Sequence, residues 1–483
     1  MKQKFTDLCE YIITGGVIFL VIFAPIFYGG FQVWAYSVIE FVIIFLLLIW
    51  VGKLVAGLLS KSRRARSEGT SLNPLGLVKN PLNLPICIFI GFMLFQMTPL
   101  PERMLKNISP KTYELYRDSL IEGPAAYDNG ASEAPSRPAI WRPLSLYSHA
   151  TRTETLKILS CMGLFLLIVN NFRKVWQINL LVIAIVALGF LEAVFGLVQY
   201  LAGESLWIFR NSGRANGTYI NPNHFCGYLE MVVPLGLGLW AYQTWGVREA
   251  QGTPPRWKDP KGLLLGYSIM VTSAALIMSQ SRTGIGAFLA VIIGFALYAS
   301  LRGRLRKWKI ISIGAWSGLA TLFFIWIGLQ PVIQRFQGSI FTDERPLLWA
   351  DTCRLFLDFP VFGTGLATFI NTFPQYQSVE KYYIYDYTHN DYLQLLAEGG
   401  TIGFLIVLTG AVLFLQKTLR DWLHSTGPLA RWIGLGSLLG ILALLLHSIA
   451  DFNMHIPSNA MLFATLLAIA WTSVHLPHEG VAD

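Results

Sequence analysis

The chain has 483 residues, of which 54% are hydrophobic and only 13% charged, with a formal net charge of +9 and a mean hydropathy of +0.50. Soluble domains carry about 25% charged residues, so this balance excludes an ordinary soluble enzyme and indicates an integral membrane protein. The basic excess does not imply nucleic acid as a partner, because no Lys/Arg run is interleaved with stacking aromatics and basic residues collect in the cytoplasmic loops of membrane proteins.

A membrane span needs about 20 mostly apolar residues, and roughly twelve stretches of this kind follow one another along the chain. They start near Tyr11, Ala35, Leu82, Glu154, Gln177, Phe225, Gly262, Ile285, Ile310, Ile402, Trp432 and Asn459. The stretch from Leu82 to Leu100 is marginal in length. The run after Met1-Lys2-Gln3-Lys4 ends in no small-residue cleavage site and reads as a retained span. Basic residues follow the even-numbered spans: Lys61 to Arg66, Arg173 and Lys174, Arg302 to Lys309, and Lys417, Arg420 and Arg431. Both termini are therefore expected in the cytoplasm, with the loops after odd-numbered spans facing outward.

The chain reads as a single polytopic membrane domain, 1–483, with two long outward loops at 101–152 and 331–396. The second loop joins the ninth and tenth spans. Loops of that length without structure of their own are unusual and tend to be functional. No repeat of fixed period is visible. The five cysteines (Cys9, Cys87, Cys161, Cys226, Cys353) lack CxxC spacing, so neither a disulfide framework nor a zinc site is expected.

Sorting polar residues by side gathers Arg210, Arg214, Arg282, Arg345, Asp351, Arg354, His389, His447, Asp451, Asn453 and His455 on the outer face. An Arg-rich outer face breaks the positive-inside tendency, and an anionic ligand accounts for it, because Arg binds phosphate bidentately and stays charged when partly desolvated. Arg282, between two apolar spans, is costly without an anion or a carboxylate. Its other reading is snorkelling, or pairing with an internal acid such as Glu230. Glu40, Glu192 and Glu230 read either as an ion path or as partners of these arginines.

Gly213 to Gly217 lacks the strand-before, helix-after context of a phosphate loop and is read as a tight turn. Asn221-Pro222-Asn223 then caps the sixth span, a role that also accounts for Asn221 and His224. His447, Asp451 and His455 recur every four residues, but Asn453 and Pro457 argue against one continuous metal-binding helix. No metal is expected.

The stretch Thr388-His389-Asn390-Asp391 runs from a polar loop into an apolar helix. His389 reads as a general base, a metal ligand or part of a capping neighbourhood, and alone the capping reading leads, since Asn and Asp are the usual N-caps.

Together these motifs resemble the O-antigen ligase and polymerase superfamily. The match is carried by Trp141-Arg142-Pro143-Leu144-Ser145, Arg214-Ala215-Asn216-Gly217-Thr218-Tyr219-Ile220-Asn221-Pro222-Asn223-His224 and Ser279-Gln280-Ser281-Arg282-Thr283-Gly284. It continues with Asp358-Phe359-Pro360-Val361-Phe362-Gly363-Thr364-Gly365, His389-Asn390-Asp391-Tyr392-Leu393-Gln394, Glu398-Gly399-Gly400 and His447 to Phe452. Each motif is weak alone; their order and spacing are specific. The resemblance implies an all-α, GT-C-like membrane fold in the bacterial inner membrane, with a site open to the periplasm.

The implied reaction transfers glycan from an undecaprenyl-pyrophosphate donor to an acceptor hydroxyl, on lipid A-core or a growing polysaccharide, without metal or cofactor. By the same resemblance His389 is the general base, and Arg214 and Arg282 bind pyrophosphate, helped by Arg210 or Arg345. Asn221, Asn223, Asn390, Glu398 and Asp451 support them. The competing readings are a transporter or flippase for lipid-linked sugars and a protein O-oligosaccharyltransferase. Visible repeat symmetry would favour the transporter.

Overall fold

A computed structural model of the chain describes residues 2–68, 78–121, 141–203, 213–246, 260–301, 333–334, 344–378 and 382–476. Among these residues, ten helices are long and apolar enough to cross a membrane. The chain is an all-α integral membrane protein, as its composition requires.

The chain starts with α1 (Lys2–Ile26) and α2 (Val33–Glu68), which pack as an antiparallel pair. The marginal stretch forms α3 (Asn83–Met97), whose 15 residues rise only about 22 Å against a hydrocarbon core of about 30 Å. It stops where Pro99 keeps Thr98 extended (φ −75°, ψ 126°). The expected span near Ile310 lies outside the described residues.

Eight more helices carry the remaining spans: α6 (Ser148–Asn171), α7 (Val175–Ala202), α8 (Pro222–Ala241), α9 (Pro260–Met278), α10 (Arg282–Leu301), α13 (Asp391–His424), α14 (Leu435–His447) and α15 (Pro457–His475). The described parts of the long loops are structured. The first holds α4 (Glu102–Ile108), α5 (Pro110–Ile121) and a two-stranded ribbon pairing β1 (Leu100–Pro101) with β2 (Trp141–Arg142). The second holds α11 (Arg345–Asp358) and the single turn α12 (Phe369–Thr372).

α8 is the central helix, enclosed by α7, α9, α10 and α14. Lipid tails are as apolar as leucine, so helices in a bilayer are held by close packing rather than by a solvent-driven core. Small residues make this possible here. Gly238 of α8 abuts the Trp432 carbonyl, and Gly436 of α14 abuts that of Pro234, so either helix would be pushed off by a side chain.

A second backbone contact ties the long loop to the bundle. Thr364 N and Gly365 N donate to the carbonyls of Ala397 (3.1 Å) and Glu398 (3.0 Å), while Thr401 N donates to Pro360 O (2.8 Å). Two motifs far apart in sequence are thereby zipped together. Gly400 makes the zipper possible: it breaks α13 with φ 62° and ψ −173°, a conformation reserved for glycine. The tenth span proper therefore runs from Thr401, beside the expected start at Ile402. Leu146 N donates to Thr364 O (2.9 Å), adding the Trp141–Ser145 motif to the same cluster.

Candidate active site

His389 sits in a frame that dictates its conformation. Asn390 is the N-cap of α13, its Oδ1 accepting from Tyr392 N and Leu393 N at 3.0 Å each. Thr388 Oγ1 donates to Asn390 O (2.7 Å), and Gln394 Oε1 accepts from Thr388 N (2.8 Å). Trp349 Nε1 of α11 donates to Thr388 O (3.0 Å). Held on both sides, His389 adopts a left-handed backbone (φ 52°). A non-glycine residue tolerates that at a cost of about 1–3 kcal/mol only when its surroundings impose it, and such residues cluster at functional sites. The capping reading thus belongs to Asn390, and the strained residue is the histidine.

The His389 side chain, 28% exposed, lines a cavity of about 350 Å³ walled largely by Tyr28, Tyr219, Tyr383, Tyr385, Tyr387 and Phe452. Its Nδ1 lies 3.4 Å from Oδ1 of Asp451, in the connection between α14 and α15. Asp451 is 1% exposed and gathers two more imidazoles: His224 Nε2 at 3.6 Å from the same oxygen and His447 Nε2 at 3.9 Å from Oδ2. Burial alone would raise the Asp451 carboxyl. The His224 and His389 imidazoles against it and the charge of His447 outweigh burial and hold it well below the usual carboxylate range. It is ionised, and it is the hub of the site. His447 is occupied on its other side, with Nδ1 3.0 Å from Glu230 Oε2, and its Nε2 lies 3.3 Å from Ser281 Oγ.

A second network lies behind the first. His455 Nδ1 is 3.6 Å from Glu154 Oε1 and its Nε2 3.7 Å from Asp391 Oδ1. Burial opposes its protonation, but the contact with Glu154 and the charge of Asp391 outweigh it and push the imidazole up to about 9. Asp391 does not cap α13; its Oδ2 accepts from Ser448 Oγ (2.7 Å) and Met454 N (3.1 Å). This clamps the start of α13 to the segment carrying Asp451. The break between α14 and α15 directs His455 away from His447, so the four-residue recurrence does not become a common ligand set.

The arginines distribute as follows. Arg214 Nε donates to Ser279 O (2.6 Å) and its Nη2 to Asn223 Oδ1 (2.7 Å), which fixes the guanidinium plane. Asn221, the N-cap of α8, accepts from Asn223 N (2.9 Å), so the two asparagines divide capping from arginine positioning. Arg282 opens α10 two residues after Gln280, another left-handed residue (φ 54°). Arg345 is the first residue of α11 and lies near enough to His447 for their charges to interact. Arg210 lies outside the described residues.

The buried acids serve different partners. Glu192 accepts from Thr218 N (3.1 Å) and Thr218 Oγ1 (2.9 Å), bracing the turn after Arg214. Glu230 takes His447. Glu398 accepts from Ala367 N (2.8 Å), Phe369 N (3.0 Å) and Gln394 Nε2 (2.8 Å), so its role is to hold the loop against α13. Among the described residues, Cys226, Glu230 and His447 bring three potential ligand atoms within 4.8 Å of one another. The direct Glu230–His447 pair already satisfies two of the three.

Sequence reasoning singled out His389, Arg214, Arg282 and Asp451, and the structure brings His389 and Asp451 into contact. It left His224 as a cap neighbour and His447 and His455 as an unresolved recurrence. The one available signal for them was that all fall on the same expected face; only the fold reveals their shared carboxylates.

Residues 267–408 match the family model described as O-Antigen ligase, a segment that contains Arg282, Arg345, His389, Asn390 and Glu398. No curated protein matches the chain. The family match, over residues 267–408, supports the resemblance to the O-antigen ligase and polymerase superfamily.

Proposed function

We propose that the protein transfers or polymerises glycan from an undecaprenyl-pyrophosphate donor onto an acceptor hydroxyl, on lipid A-core or a growing polysaccharide, at the periplasmic face of the inner membrane. The observation that carries this reading is His389: strained, cavity-lining, and backed at Nδ1 by a buried carboxylate 3.4 Å away. With the proton on Nδ1, the ring nitrogen 3.4 Å from Asp451 Oδ1, the lone pair lies on Nε2. That nitrogen takes the acceptor's proton as the hydroxyl oxygen attacks the anomeric carbon.

The new glycosidic C–O bond forms as the bond to the pyrophosphate oxygen breaks, and the electron pair leaves with the lipid pyrophosphate. Arg214 and Arg282, with Arg345 and Arg210 as helpers, stabilise that developing charge and make a divalent metal unnecessary. The aromatic wall suits a sugar, whose C–H faces stack on rings while its hydroxyls meet the tyrosine O–H groups.

The test is reconstitution of purified protein with undecaprenyl-pyrophosphate glycan and candidate acceptors, read by product size. A ladder identifies a polymerase and a single shift on lipid A-core a ligase. His389→Ala should abolish both products while the protein still folds and inserts, and transfer near the wild-type rate by that variant overturns the base assignment. Chelator treatment should leave transfer intact; strong loss would instead implicate a metal, with Cys226, Glu230 and His447 the first ligands to replace.

A further inference from the structure

Beside the second network lies a slot that the transfer site leaves unused, a cavity of about 280 Å³ between α2, α3, α6, α13 and α15. It reaches from Glu154 to Phe165 along α6 and from Pro457 to Leu467 along α15, a depth of about 15 Å. That is half of a hydrocarbon core of about 30 Å, the reach of a lipid chain in one leaflet. Away from its polar end the walls are almost wholly apolar. Water finds no partners there, and hydrocarbon is the filling that suits it.

The polar groups gather at one end. Glu154 gives Oε2 to Lys157 Nζ (3.2 Å) and Oε1 to His455 Nδ1 (3.6 Å), so both its oxygens are engaged. Lys157 stands 5.0 Å over the Tyr36 ring, its side chain 26% exposed. Glu40, one turn along α2 from Tyr36, lies near enough for its charge to meet that of Lys157, yet its buried Oε1 has no hydrogen-bond partner among the described residues. A buried acceptor without a donor is costly. An amide answers both groups, its N–H donating to Glu40 and its carbonyl accepting from Lys157. Neither a polyprenyl chain nor a glycerol ester carries that N–H.

This end of the slot adjoins the His389 cavity. His455 lines the slot, and the Tyr387 ring lies against it (4.7 Å between centroids) and stacks on Phe452 (4.5 Å); Tyr387 and Phe452 both line the His389 cavity. The arginines lie elsewhere: Arg214 is tied to Ser279 O after α9 and Arg282 opens α10, and neither of those helices lines the slot. A donor held by these arginines is not placed to send its tail there. We propose that the slot binds an amide-linked acyl chain of the lipid that carries the acceptor hydroxyl, so that donor and acceptor lipids approach His389 along different helices. This rests on the transferase reading and names its acceptor class, an acylated aminosugar lipid rather than a polyprenyl carrier.

The test uses the full chain in phosphatidylcholine nanodiscs with lipid A-core, the same lipid stripped of ester-linked chains, and the core stripped of every chain. Loss of the ester-linked chains should leave KM within about threefold, and loss of the amide-linked chains should raise it at least about tenfold with kcat little changed. Ala460→Phe and Val407→Phe fill the slot from two helices and should raise KM for lipid A-core by about the same factor, leaving KM for the donor unmoved. Glu40→Leu should do likewise, and Glu40→Gln, which keeps an acceptor oxygen, should stay within about threefold of wild type. Binding is read without turnover by the melting midpoint, which lipid A-core should raise in wild type but not in the filled variants, and phosphatidylglycerol should not raise. An unmoved acceptor KM in a filled variant that melts like wild type, a rise in donor KM instead, or equal stabilisation by phosphatidylglycerol overturns the proposal. If lipid A-core stabilises wild type through the slot but no glycan is transferred, the transferase reading fails and the slot stands; if transfer proceeds and the filled variants match wild type, only the slot falls.

Discussion

Replacing Asp451 by Asn keeps the volume and removes one charge from a site built around it. The carboxylate lies 3.4 Å from His389 Nδ1, placed to favour the positive charge that develops on the ring as the base takes up the acceptor's proton. His389 is 28% exposed to the cavity, and water there weakens the interaction. The amide also offers an N–H to Nδ1, which favours the tautomer with its proton on Nε2 and so occupies the nitrogen that must act as base. The expected outcome is a fall in kcat of roughly 10²–10⁴-fold, with KM for the lipid-linked donor little changed. Initial rates of glycan transfer in detergent or nanodiscs read this directly, with the melting midpoint as the control for folding. A well-folded Asp451→Asn protein within tenfold of wild-type turnover would refute the reasoning that places His389 and Asp451 in one working pair.

Arg282→Lys should lose most transfer activity, because a point charge does not reproduce a two-pronged guanidinium contact with phosphate oxygens; measured activity near wild type would make Arg282 structural. Gly400→Ala puts a Cβ into the Val361 carbonyl and Gly363 N at a backbone angle only glycine adopts. A destabilisation of at least about 3 kcal/mol is expected, visible as a lower melting midpoint. Stability should also depend on pH at both ends. His455 is raised from 6.5 to about 9, so its contribution is full below pH 6.5 and lost as pH rises through about 9. The alkaline fall in melting midpoint should be absent in His455→Gln. Asp451 is depressed, so its contribution is present above the ordinary carboxyl range and lost as pH falls through its lower folded value.

Helix by helix, the apolar runs determined where the chain crosses the membrane. Local chemistry was equally legible where one residue's neighbours suffice: Asn221 and Asn390 cap their helices because a short acceptor before an apolar run has few other places to go. The shortness of α3 and the break at Gly400 were less visible, since a proline two residues past a helix and a single glycine act through backbone angles rather than hydropathy.

What the linear order did not contain is which carboxylate each histidine meets. Asp451 is 62 residues from His389 and 227 from His224 in the chain, and no periodicity links them; the connection between α14 and α15 brings the carboxylate to both. The same holds for the zipper between Asp358–Gly365 and Glu398–Gly400, whose glycines make sense only once two backbones touch. Hydropathy is a property of each segment, whereas ion pairs buried between segments depend on packing. The sequence by itself therefore determined the membrane architecture and the candidate base, and only the tertiary structure decided how that base is held.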